Sequence, residues 1–364
     1  MTAIEPAHQW PDDGTSPTVR GSRMMAIARL LRSLLPLLLV LGALTPAAAR
    51  ADDGGGRLCR YCVTEFPLPR PNSTPLVIKL GPDGALWFTE VFADRIGRIT
   101  PAGVVTEFSL PTPNAAPLDL TVGPDGALWF AEYGGNNIGR ITLAGAITEF
   151  PLPHPNSTPA FITVGPDGNL WFTERESGGN RIGRMTPQGI LLAEYPLPNP
   201  GSRPAGIVAG PDGALWFTEI AGNRIGRITT DGVITEFPLP NPNSSPNVIT
   251  VGPDRNLWFV EFDGNRVGRM TVRGEIVEYP IPTPNSFPTV IAVGPDRQLW
   301  FSEFDGNRIG RIRRDGAITE VTVPTPNSEP RGLAIGPDGN LWFAEQAGNN
   351  IGRLQVRPDR GGDD

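Results

Sequence analysis

One phrase of residues recurs seven times along this chain, and that repetition leaves few folds open. Trp87, Trp129, Trp171, Trp216, Trp258, Trp300 and Trp342 each sit in a Leu-Trp-Phe run that ends three residues later in Glu. Five of the six intervals between these tryptophans are 42 residues and one is 45, the extra residues falling at 176–179 and around Leu191. A period of this length belongs to propeller blades or to helical arrays. Pro or Gly interrupts the pattern every ten residues or so, as in GPDGALWFTEIAGNRIGRITTDGVITEFPLPNPNSSP at 210–246. No helical hairpin tolerates such punctuation.

The repeat therefore parses into four short strands, A to D. In the fourth copy these are expected at residues 206–209, 214–219, 224–229 and 233–237. The connectors Pro-Asp-Gly, Ala-Gly-Asn and Thr-Asp-Gly carry residues that accept a positive φ in tight hairpins. The longer Pro-Asn-Ser segment suits a crossing from one unit to the next. Radially repeated four-stranded antiparallel units make a β-propeller, so the fold class expected is all-β with seven blades. The strand D phrase also occurs seven times, from Thr64-Glu65-Phe66 to Thr319-Glu320-Val321. Its first copy precedes any A–B–C set, and the last A–B–C set, at 332–356, has no D strand after it. The two orphans complete each other: an N-terminal outer strand at about 62–68 closes the last blade and leaves no open edge.

Gly (44) and Pro (41) make up nearly a quarter of the chain, and their fixed places in the repeat mark them as turn residues, not low complexity. The formal charge is −7 and Lys79 is the only lysine, which argues against nucleic acid as a partner. Residues 24–51 read as an export signal. Arg29 and Arg32 precede a short apolar run at 33–44, and Ala47-Ala48-Ala49-Arg50-Ala51 offers small-residue cleavage sites. The run is too short to span a membrane. The expected organisation is an N-terminal extension with signal (1–51), a linker (52–60), the propeller (61–357) and a polar tail (358–364), the whole secreted or periplasmic and monomeric. Cys59 and Cys62 are expected to be a small disulfide or two inert thiols, since two thiols alone cannot complete a structural zinc site.

In this topology the D–A crossings and the B–C loops share one face around the central channel. Strand B ends in Glu90, Glu132, Glu174, Glu219, Glu261, Glu303 and Glu345, and strand C carries Arg98, Arg140, Arg184, Arg227, Arg269, Arg311 and Arg353. The expectation is a ring of Glu–Arg pairs on that face. The alternative is that some of the carboxylates hold a hard divalent cation. Function must break the sevenfold symmetry, so the columns that differ between copies are the more informative ones. Before the crossing proline stand Thr74, Ala116, Thr158, Arg203, Ser245, Phe287 and Glu329; after it stand Leu76, Leu118, Ala160, Ala205, Asn247, Thr289 and Arg331. Only the last copy flanks its proline with an acid and a base.

With Ser328-Glu329-Pro330-Arg331-Gly332 followed by Leu341-Trp342-Phe343-Ala344-Glu345, the chain resembles the streptogramin B lyase (virginiamycin B lyase) family over about residues 60–356. The resemblance implies a metal-assisted elimination that opens a cyclic depsipeptide at its ester, with Glu329 and Glu345 holding a magnesium ion. The family's phrase is Glu-Pro-His-Gly, whose His acts as general base. Here Arg331 stands in its place, and Thr289 replaces a second His that contacts substrate. Arginine cannot accept a proton, so no catalytic residue is identifiable. Tyr133 and Phe287 join Thr289 and Arg331 as expected substrate contacts. Three functions follow as alternatives. One is a ring that binds a small molecule, a protein or a glycan at the channel mouth. The second is a lyase with a non-standard base, Tyr133 or His154, and the third is a metal-dependent lactonase.

Overall fold

The structure is a computed structural model that describes residues 61–176 and 179–356. The export signal, the linker, Cys59 and the tail at 358–364 lie outside the described residues. Among those described, seven four-stranded antiparallel sheets form a ring of blades, as the repeat predicts. Blade one consists of β2 (Pro75–Leu80), β3 (Leu86–Glu90), β4 (Arg95–Ile99) and β5 (Val105–Ser109). Strands β6 to β25 repeat this arrangement through blades two to six, over residues 117–322. Blade seven combines β26 (Pro330–Ile335), β27 (Leu341–Glu345) and β28 (Asn350–Val356) with β1 (Tyr61–Pro67). In the fourth blade the observed strands are Pro204–Ala209, Leu215–Glu219, Arg224–Ile228 and Ile234–Pro238. Strand A starts earlier than expected because Pro204 already pairs with Glu219, ahead of an irregularity between Pro204 and Ile207.

The Leu-Trp-Phe-x-Glu strand is buried along its whole length in every blade, because each blade is covered on both faces. Strand alternation then divides its side chains between two neighbours. Leu86 and Phe88 pack with Trp342 and Ala344 of blade seven, whereas Trp87 packs with Leu120, Leu128 and Phe130 of blade two. All seven apolar clusters straddle an interface between blades in this way. No blade owns a complete core. The glycine of each Arg-Ile-Gly-Arg-Ile strand has a local cause: Gly97 pairs with Phe88, and a Cβ there would run into the Phe88 ring.

The strand C arginines have a different partner from the one expected. Trp87 pairs with Arg98 in the β3–β4 register, at the end of the strand away from Glu90. Trp87 Nε1 donates to Asp83 Oδ1 at 3.1 Å and Arg98 Nε donates to Asp83 Oδ2 at 2.7 Å. The guanidinium lies 5.9 Å from the indole centroid, and Phe108 stacks on the indole at 5.5 Å. The expected Glu–Arg ring is thus corrected to seven Asp–Arg pairs at the A–B hairpins, five of them Pro-Asp-Gly and two Pro-Asp-Arg, on the face opposite the crossings. Burial opposes ionisation of Asp83, but its bonds from Trp87 and Arg98 outweigh burial and hold it below the usual carboxylate range.

Ring closure follows the tally of orphan strands. All seven residues of β1 pair with β28, from Tyr61↔Val356 to Pro67↔Asn350. Val63 enters the core between blades six and seven, and Leu68 enters the core between seven and one. Cys62 is disulfide-bonded. No helix among the described residues is long and apolar enough to cross a membrane.

Candidate functional site at the channel mouth

Each crossing ends in a residue whose backbone is held in a left-handed conformation immediately before its proline. These are Thr74, Ala116, Thr158, Arg203, Ser245, Phe287 and Glu329, with φ between 47° and 56°. One bond holds each of them: the carbonyl accepts the N–H of the residue that follows the strand B glutamate. The pairs are Thr74–Val91, Ala116–Tyr133, Thr158–Arg175, Arg203–Ile220, Ser245–Phe262, Phe287–Phe304 and Glu329–Gln346. Three variable columns therefore meet at the inner end of every blade: the residues before and after the proline, and the residue after the glutamate. The third column contains Gln346, which the sequence reading passed over. Its signal was present, since it shares a column with Tyr133, Phe262 and Phe304.

The strand B glutamates lie beneath this surface and are fully enclosed. Each is set beside the glutamate of strand D in its own blade, for example Glu345 beside Glu65 and Glu132 beside Glu149. The crossing caps that second carboxylate. Thr325 donates to Glu65 from its N–H (2.9 Å) and its hydroxyl (2.8 Å), and Thr112 does the same for Glu149. His154 occupies this capping column in blade three, 3.0 Å from Glu194, which accounts for the one described histidine. In blades one, three and five an arginine accompanies the strand B carboxyl; in blades two and seven Asn137 and Asn350 take its place.

Burial, reinforced by the neighbouring Glu65 charge, pushes Glu345 up to about 8. Burial likewise raises Glu132 to about 8 and Glu90 to about 7. Enclosure beside the Glu65 charge disfavours the carboxylate form, so Glu345 keeps its proton at neutral pH. The unfolded chain releases this proton near the ordinary value of 4.5. Between that pH and about 8 the folded protein binds more protons, so stability falls as pH rises, by about 1.4 kcal/mol per unit for each proton held. The lowered aspartates at the hairpins, Asp83 among them, act in the opposite sense below their unfolded value of 3.8. Glu345→Gln keeps the size and polarity of the side chain and removes the titration. Its Tm is expected to fall less than that of the parent between about pH 5 and pH 8, and equal slopes in the two proteins would contradict a protonated Glu345.

Arg331 stands at the start of β26, half-buried at the mouth. Its Nε donates to Gln346 Oε1 at 2.7 Å, and its guanidinium lies 4.2 Å from the centroid of the Phe304 ring in blade six. Burial lowers its pKa to about 10 against the favourable charges of Glu329 and Asp305, so it remains a cation at neutral pH. Phe287 is in ring contact with Phe262 at 5.0 Å. Thr289, an expected substrate contact, is only 1% exposed, and its hydroxyl lies 2.9 Å from Ser302 Oγ. Tyr133 lies in the other half of the ring, in blade two. It donates to Glu176 Oε1 at 3.0 Å, which also takes Arg203 Nη2 at 2.8 Å. Burial and the Glu176 charge raise the Tyr133 phenol to about 12, which makes it a poor base.

Glu329 and Glu345 sit on different levels. Glu329 belongs to the surface column beside Arg331, whereas Glu345 faces inward to Glu65, Asn350 and Ser328. Among the described residues no group of three or more His, Cys, Asp or Glu is arranged to hold a metal ion. Of the two expected ligands, Glu329 is half-buried at the mouth and Glu345 is fully enclosed beneath it.

The sequence pattern of the Virginiamycin B lyase family matches residues 55–247 and 223–359. A streptogramin B lyase structure is 45% identical, with a TM-score of 0.78, covering 82% of this chain and 98% of its own. The selenomethionine-substituted virginiamycin B lyase from Staphylococcus aureus is also 45% identical, with a TM-score of 0.77 and coverage of 82% and 100%. A catalytically inactive histidine-to-alanine variant of the Staphylococcus aureus enzyme, solved with quinupristin, is 44% identical, with a TM-score of 0.77 and the same coverage. No curated protein matches the chain. Seven blades, their closure and these matches place the chain in the virginiamycin B lyase family.

Proposed function

We propose that this protein is an exported ring that binds a small ligand at its channel mouth through Arg331, without carrying out the elimination of its relatives. The observation that carries this reading is the setting of that one side chain. Arg331 is oriented by Gln346 and Phe304, it stands where the family's proton-accepting His would stand, and a guanidinium accepts no proton. Its fixed positive charge beside Glu329 also substitutes for the magnesium ion that the resemblance implies. The signal-like segment supports export, and the disulfide at Cys62 is in keeping with an oxidising compartment.

Cation titration tests the reading directly. A ligand that binds only the native state raises Tm by mass action, by about 2.7 kcal/mol of stability at a hundredfold excess over Kd. Magnesium or calcium at about 5 mM is expected to leave Tm unchanged and to give no calorimetric heat. A magnesium-dependent rise in Tm that Glu329→Gln abolishes would overturn the proposal.

A further inference from the structure

Around the mouth, blades five to seven present an arc that no other part of the ring repeats. It runs from Phe262 to Phe287, whose rings touch, then to Phe304, whose N–H bonds the Phe287 carbonyl, and ends on the guanidinium of Arg331 over Phe304. The corresponding residues of blade one are Val91, Thr74 and Leu76, and those of blade four are Ile220, Arg203 and Ala205. Gln346 takes the Nε hydrogen, and the guanidinium lies over the Phe304 ring. Glu329 and Asp305 act on the guanidinium through their charge.

A planar guanidinium fixed by stacking and by its Nε hydrogen leaves its outer fork as a preset pair of parallel donors, the arrangement that grips a carboxylate through two bonds. We infer that the ligand of this mouth is a carboxylate borne on a flat apolar group, its oxygens on the outer edge of Arg331 and its apolar part along Phe304, Phe287 and Phe262. The inference rests on the binding reading above and gives that site its ligand class. A phosphate would match the fork too, but its second charge would face Glu329 and Asp305. A singly charged carboxylate is therefore the better fit. The same two acids weaken the long-range field of Arg331, so recognition depends on short-range geometry and affinity for a minimal ligand falls in the millimolar range, about −4 kcal/mol.

The experiment uses the full protein with N-benzoylglycine, N-benzoylglycinamide, phenethylamine and phenyl phosphate as probes, followed by ligand-observed NMR and by the shift of the arginine Nε–H signals. N-benzoylglycine is expected to bind at about 1–10 mM, and its amide at least tenfold more weakly. Arg331→Gln should lose the carboxylate preference. Arg331→Lys, which keeps the charge without the fork, should lose most of it, and Phe304→Leu should weaken binding by several-fold with the preference intact. Unchanged Tm and tryptophan emission establish that each variant is folded. Equal or tighter binding of the amide, the amine or the phosphate would overturn the ligand class while leaving a binding site at the mouth. No binding of N-benzoylglycine at about 20 mM would also overturn it. Failure of the underlying reading has a separate mark, namely ring opening of a depsipeptide by the unmodified protein.

Discussion

Streptogramin B is expected to survive incubation with this protein, its ester opening at least about a hundred-fold more slowly than with a family member that retains the histidine. Elimination at the ester breaks a C–H bond and a C–O bond while a C=C bond forms, and the departing group is a carboxylate. The proton must go to a base, and general-base catalysis typically supplies about 10²–10⁴ in rate. Arg331, with a pKa of about 10, is already protonated at neutral pH. Tyr133 donates a hydrogen bond to Glu176 and holds its proton more firmly than a free phenol, and His154 is tied to Glu194 in a crossing of blade three. Arg331→His alone restores a base but no second surface carboxylate, because Glu345 is enclosed beside Glu65. Arg331→His combined with Gln346→Glu, and then with Thr289→His, is therefore expected to recover magnesium-dependent ring opening in steps, read by chromatography of the linear product. Activity of the unmodified protein, or full recovery by Arg331→His alone, would refute this account of the site.

Removal of residues 61–68 is the second change with a large expected effect. β1 supplies the outer strand of blade seven through seven paired residues. It also lends Val63 and Leu68 to two different interfaces, while Phe66 stacks on Trp342 at 5.2 Å. At about 1.5–3 kcal/mol for each buried apolar side chain, the three together contribute about 5 kcal/mol. That is a large part of the roughly 5–15 kcal/mol that holds a typical domain folded. The truncated chain should be insoluble or should melt at least about 10 °C lower. Leu68→Ala offers a milder version that keeps the strand, with an expected loss of about 2–5 kcal/mol by denaturant titration. A truncated protein that melts with the parent would mean that the ring closes elsewhere.

The contrast between what the sequence foretold about the ring and about its site has a physical origin. Blade number, strand order and closure were readable because they depend on spacing: tryptophans 42 or 45 residues apart, an orphan strand D at the N-terminal end and a three-strand set lacking it at the C-terminal end. The partners of repeated polar residues were not. Arg98 and Glu90 lie eight residues apart across one hairpin, and only the register reveals that Arg98 faces Trp87 and Asp83 while Glu90 faces Arg95. Nothing in the strand D phrase sets glutamates such as Glu65 apart from any other residue of an outer strand. Their role as capped partners of enclosed carboxyls depends on the crossing packing back over them. Gln346 was missed because it directly follows a residue of the expected type, Glu345, and lies just past the end of the strand, in the turn that meets the crossing.

The left-handed residue at each crossing separates two tasks that most binding sites combine. Its geometry is secured by a carbonyl that bonds a neighbouring N–H, a contact indifferent to the side chain attached. Left-handed backbone costs roughly 1–2 kcal/mol for any residue but glycine, so glycine would be the most stable choice at all seven places, and none of the seven has it. Strained backbone of this kind concentrates at functional positions. The ring thus behaves as a row of seven sockets, each accepting Thr, Ala, Arg, Ser, Phe or Glu at nearly the same folding cost. Specificity can be rewritten one socket at a time while the other six keep the shape of the mouth.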